Sequence, residues 1–199
     1  QFQAIRLQRL LPALKQWEWD APVVSVPSGN FGNLAAGMLA NASGLPIDRF
    51  IAACNANDVV PRFMRNGVYE PKPSVATLSN AMDVGAPSNW VRVLEIFENS
   101  LSILSKKLSA VSISDEQTAD TMRSVYDQTG YILDPHGAVA YRALADHLDG
   151  ESPAGIILET AHPIKFDSVS DILGIQPSRP PTIDELFANE SRGIAIEND

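Results

Sequence analysis

The apolar, β-branched run Pro22 to Val26 (PVVSV) leads directly into Pro27-Ser-Gly-Asn-Phe-Gly-Asn33. A stretch of small and apolar residues follows and stops at Gly44. Strand, glycine-bearing turn and helix in immediate succession commit this part of the chain to an α/β unit, because a buried parallel strand needs a crossover to reach its neighbour. Gly44 suits the residue after a helix, where the backbone leaves through positive φ. The pattern repeats. Phe50 to Cys54 (FIAAC) and Ala154 to Thr160 (AGIILET) also read as buried strands, each associated with helix signals. The expected fold is therefore an open, mainly parallel sheet flanked by helices.

Further elements follow from capping and periodicity. Asn57 or Asp58 is expected to cap a short helix around Pro61 to Arg65 that ends at Gly67. Trp90, Val93, Leu94 and Phe97 stand at i, i+3, i+4 and i+7, which predicts an amphipathic helix over Pro87 to Glu98. Ser114-Asp-Glu-Gln117 has the form of a capping box for a helix reaching Thr129. Asp134-Pro135 is a cap followed by a first-turn proline, starting a helix that runs to Gly150. Residues 1–175 then form one α/β lobe. Residues 176–199, with Pro177, Pro180, Pro181 and several acids, form an extended tail with at most a short helix near Ile183 to Ala188.

Charge and composition exclude several functions. Fifteen basic residues against 24 acidic ones give a net charge of −9, with no basic block, so the electrostatic footprint for nucleic acid is missing. A chain of 199 residues with 45% hydrophobic content is long enough to bury a core of its own. No apolar run approaches the ~20 residues of a membrane-spanning helix. Residues 1–20 set Arg6, Arg9 and Lys15 among leucines without the continuous apolar core of a signal peptide. The single Cys54 excludes an intramolecular disulfide and a CxxC metal pair, and the expected compartment is cytoplasmic. The chain begins at Gln1 without Met, as a processed chain or a piece of a longer one would.

The 27–33 turn is the richest chemical feature. A strand feeding such a turn and a helix start directs unpaired amides and the positive end of the helix dipole at one point, which suits a phosphate. Gly29 and Gly32 permit close backbone approach, while Ser28, Asn30 and Asn33 can add side-chain donors. A tight turn whose Ser and Asn only cap the helix explains the same residues equally well. The glycine spacing matches neither the dinucleotide fingerprint nor the Walker loop.

V-P-S-G-N-F-G-N nevertheless resembles the cofactor-phosphate loop of the threonine synthase family, fold-type II pyridoxal-phosphate enzymes. Similar stretches follow in order: G-L-P-I-D-R-F-I-A-A-C-N-A-N-D at 44–58, S-V-A-T-L-S-N-A-M-D-V-G at 74–85, D-P-H-G-A-V-A-Y-R-A-L at 134–144 and E-T-A-H-P-I-K-F at 159–166. The resemblance covers most of residues 23–174 and only the C-terminal half of the family. It implies that Gly29, Asn30, Phe31, Gly32 and Asn33 hold the phosphate of pyridoxal 5'-phosphate and that Thr160 faces its pyridine nitrogen. It further implies a phosphorylated amino acid as substrate, with O-phospho-L-homoserine and water yielding L-threonine and phosphate. A related phospho-lyase, or a lobe that binds an anion or a partner without catalysis, is the alternative. His136 and His162 are candidates for proton movement or for plain structural donors. Asn57, Asp58 and Asn80 are candidates for the substrate side, and Arg62 and Arg65 for a basic surface toward a substrate phosphate.

Lys15, Lys72, Lys106, Lys107 and Lys165 all lie outside an F-K-D-type segment. The resemblance therefore implies that the lysine holding the cofactor belongs to an N-terminal lobe absent from this chain. Without that lobe an apolar face stays open to water. Size-exclusion chromatography of the 199-residue chain is expected to show self-association, and a dye-silent monomer would contradict this.

Overall fold

The computed structural model describes residues 21–149 and 154–183. The strands are β1 (Val23–Pro27), β2 (Arg49–Cys54), β3 (Leu108–Ser112) and β4 (Gly155–Ile157). The helices are α1 (Gly32–Ala42), α2 (Val59–Asn66), α3 (Trp90–Ile96), α4 (Leu101–Leu104), α5 (Asp115–Thr129), α6 (Pro135–Leu148) and α7 (Asp167–Leu173). Short 3-10 turns stand at Asn80–Met82 and Pro163–Lys165.

The four strands pair in parallel in the order β3-β2-β1-β4, so the expected open parallel sheet is present. Alternate residues build two cores, as the two-residue period of a strand requires. Val24, Val26, Phe50, Ala52 and Cys54 meet Leu34 and Met38 of α1 and Trp90 and Val93 of α3. On the other face Val23, Ile51 and Ala53 meet Val139, Ala140 and Ala143 of α6. Ser25, fully buried in β1, stays satisfied by donating to Ala140 O at 2.8 Å.

Several expected boundaries move, for local reasons. The third expected strand ends at Ile157 instead of Thr160. Its ladder with β1 includes Val23 N–H to Ala154 O (2.9 Å) and Leu158 N–H to Ser25 O (3.1 Å). The next bond would need an N–H at Pro27, which a proline lacks. The amphipathic helix begins at Trp90 rather than Pro87, after a turn in which Trp90 N–H donates to Pro87 O. Asp58 stands at the start of α2 but caps nothing with its side chain, which pairs with Arg62 Nε at 2.9 Å. The capping box at Ser114 and Gln117 and the Asp134 cap form as expected. Strand β3 was not anticipated, since Ser109 and Ser112 dilute its apolar pattern at the sheet edge. The expectations for residues 1–20 and for all but the first residue of the Ile183 to Ala188 helix lie outside the described residues.

Among the described residues no helix is long and apolar enough to cross a membrane. Trp90 is 2% exposed and Val91, next to it on α3, is 57% exposed. Trp90→Ala is expected to cost about 3–5 kcal/mol in denaturant unfolding. Val91→Ala should stay within about 0.5 kcal/mol.

Candidate active site

The sheet order reverses at β1, whose two neighbours β2 and β4 lie on opposite sides. Open α/β sheets bind ligands beyond the carboxyl ends of strands at such a switch point. The loop leaving β1 and the loop leaving β4 meet there. A cavity of about 290 Å³ is lined by Gly29, Asn30, Phe31, Gly32 and Asn33 from the first loop and Thr160 from the second. All six predicted site residues therefore share one cavity.

Phe31 turns the chain into α1 with φ 62°, a left-handed conformation that costs a non-glycine residue on the order of 1 kcal/mol. Its ring is buried edge-on against Trp90 at 5.3 Å, and Trp90 in turn meets Phe63 at 5.6 Å. Burial of that ring offsets the backbone cost. The first turn of α1 has no acidic residue. Among the described residues none of the amides of Gly29 to Asn33 donates to another element. These donors and the helix dipole converge on the cavity mouth, a fit for an anion.

Ser28, as a donor, and Asn30, through its side-chain oxygen and its carbonyl, are engaged in holding the fold. Ser28 Oγ donates to Val26 O (2.8 Å). Asn30 Oδ1 accepts from Ser88 N–H (2.6 Å) and Ser88 Oγ (3.0 Å), and Asn89 Nδ2 donates to Asn30 O (2.9 Å). Asn30 thus fastens the start of α3 to the loop.

The opposite wall carries residues to which sequence reasoning gave no role, Ala81, Met82 and Asn89, together with His136. Asp134 Oδ1 accepts from His136 N–H (2.8 Å) and stands 2.7 Å from His136 Nδ1, while His136 Nε2 accepts from Ala81 N–H (3.2 Å). An Nε2 that accepts places the ring proton on Nδ1, so both nitrogens are occupied and His136 is a structural bridge. His162 lies away from this cavity, exposed, accepting from Ile164 N–H at its Nδ1. Asn57 donates to Asp83 Oδ1 (3.1 Å) and to Val75 O (3.0 Å) within a partly buried network, and neither it, Asp58 nor Asn80 lines the cavity. Arg62 pairs with Asp58 and Glu70, and Arg65 with Asp58, so they form no free basic surface. No described lysine lines the cavity. Burial, and secondarily the charge of Asp58, push the Cys54 thiol far up, which leaves it inert.

Comparison with known proteins agrees with this geometry. Residues 10–160 match the family of pyridoxal-phosphate dependent enzymes, and residues 137–199 match the C-terminal region of threonine synthase. The chain belongs to the pyridoxal-phosphate dependent enzyme family. Within it, the chain is 53% identical over 167 residues to the threonine synthase of Haemophilus influenzae, covering 83% of this chain and 39% of that protein. It is 56% identical over 154 residues to that of Escherichia coli, covering 76% and 35%. The crystal structure of the E. coli threonine synthase superposes with a TM-score of 0.77 at 50% identity, over 83% of this chain and 38% of that one. A pyridoxal-phosphate-bound threonine synthase from Brucella melitensis gives 0.84 at 30% identity, over 94% and 46%. The chain thus spans about two fifths of the length of these curated relatives.

Gly29 supports the cavity floor. A Cβ there would stand 2.6 Å from Met82 Cα, a backbone atom that cannot swing aside. Gly29→Ala is expected to destabilise the protein by about 1–3 kcal/mol in urea unfolding. Unchanged stability would contradict this close approach.

Proposed function

We propose that this chain is the phosphate-anchoring lobe of a threonine synthase, converting O-phospho-L-homoserine and water to L-threonine and phosphate. The observation that carries the reading is the shared cavity of the Gly29 to Asn33 turn and Thr160 at the sheet's switch point. Its amide-lined mouth fits the phosphate of pyridoxal 5'-phosphate. Bound there, the cofactor would supply an electron sink for carbanion chemistry beside an amino group.

The chain's own residues would then act by holding and orienting. The amides of Gly29, Asn30, Phe31 and Gly32, with the Asn33 side chain, would bind the phosphate. Thr160 Oγ1 would donate to an unprotonated ring nitrogen, a milder electronic setting than an acid would create. His136, with both nitrogens engaged, would position the 80–82 wall rather than carry protons. The lysine that binds the cofactor covalently would come from the remainder of the full-length protein, since no described lysine reaches the cavity. That N-terminal lobe and a phosphorylated amino acid are the partners we assign. We place the lobe at residues 1–175 and the tail at 176–199. The lone, buried Cys54 suits the cytoplasm.

The test is phosphate release from O-phospho-L-homoserine by the full-length protein, together with a cofactor titration. Asn33→Asp sets a negative charge beside the proposed phosphate and is expected to weaken cofactor binding at least about tenfold, about 1.4 kcal/mol. Unchanged affinity would overturn the cradle. Cofactor binding without phosphate release from this substrate would favour the phospho-lyase reading, and neither would leave a non-catalytic lobe.

A further inference from the structure

Behind Thr160, three groups that the cradle does not use come together. Asp134 is fully buried, and while its Oδ1 takes up His136, its Oδ2 has no partner. Glu159 keeps a solvent-exposed side, and its Oε2 accepts from the Tyr131 hydroxyl at 3.4 Å. Glu159 Oε1 lies against Gly137, where a Cβ would overlap it and would stand 3.4 Å from Asp134 Oδ2. The glycine leaves room for the Glu159 carboxyl to approach the start of α6 on the side where Asp134 Oδ2 stands.

Two like charges beside a buried wall are unfavourable, and the unpartnered Asp134 oxygen needs a donor. We propose that Glu159 and Asp134 hold one proton between them, and that this proton seats the segment after β4, and with it Thr160, on the N-terminus of α6. Glu159 is then a positioning residue. The inference uses only this chain's own groups and stands whether or not the cofactor assignment is right.

The surrounding charges agree. Burial first, and then the negative charge of Asp134, push the Glu159 carboxyl up to about 7, against the smaller opposing effects of the Tyr131 hydroxyl and His136. His162 shares the neighbouring cavity of about 330 Å³ with Tyr131 and Glu159. A carboxyl raised in the folded state binds its proton more tightly than in the unfolded chain. Its favourable contribution is therefore present at acidic pH and is lost as pH rises through about 7. Above that point Glu159 and Asp134 repel, and the seat loosens.

The decisive experiment is a ¹³C NMR titration of side-chain carboxyls in the protein, with Glu159→Gln identifying the Glu159 signal. A midpoint near 7 that falls toward the ordinary value of about 4.3 in Asp134→Asn is expected. A wild-type midpoint at the ordinary value, or one unmoved by Asp134→Asn, would overturn the shared proton. Because Asp134 also caps α6, that variant can fail to fold. Amide hydrogen exchange across residues 158–161, corrected for intrinsic rates, then decides. Protection should fall as pH passes neutrality in the wild type and stay level in Glu159→Gln. Identical profiles in the two proteins would overturn the proposal.

Discussion

The pairing of β1 between β2 and β4 is the constraint on which the rest of the molecule depends. Val23, Val24, Ser25 and Val26 are buried, and hydrogen bonds leave this strand on both edges. A strand so enclosed can release its chain only at its ends. Its carboxyl end does so beside the end of β4, and the crevice for a ligand arises where the two loops part. Pro27 sharpens that geometry, for by ending the ladder with β4 after the Leu158 N–H bond it frees Glu159 and Thr160 from the sheet.

Around the crevice, distant segments are held by polar contacts rather than by bulk packing. Asp83 Oδ1 accepts from Asn55, Asn57 and Thr77, and Asp83 Oδ2 accepts from Thr77 N–H. This network closes the 75–84 loop onto the end of β2 and brings Met82 against Gly29. His136 ties the same turn to α6, and Asn30 ties the glycine loop to α3. Polar networks with every member satisfied specify one arrangement. The cavity's shape therefore comes from residues that touch it only through their neighbours.

Much of this was legible in the sequence. The β-branched runs, the glycine turn, the capping box at Ser114 and the cap at Asp134 each state a local preference that tertiary structure did not override. Edge strand β3 was hidden because its two serines are satisfied by specific partners, Ser109 by Arg49 and Ser112 by Asn55 O. The left-handed Phe31 was equally hidden, since its conformation is affordable only once Trp90 is in place. The donor role expected of Ser28, like the basic surface expected of Arg62 and Arg65, gave way to nearby acceptors. No local pattern announces such competition. Six site residues converged because they follow the carboxyl ends of two adjacent strands.

The pairing of β1 with β4 also governs the order in which this chain can mature. β1 is among the first described residues, yet the partner for one of its edges ends at Ile157. During synthesis an apolar strand must wait, with one row of backbone groups unpaired, until more than a hundred further residues have emerged. Over that interval the edge is a template for any extended segment it meets, including a neighbouring nascent copy. The three-residue strand that completes the sheet is thus also its safeguard against mispairing.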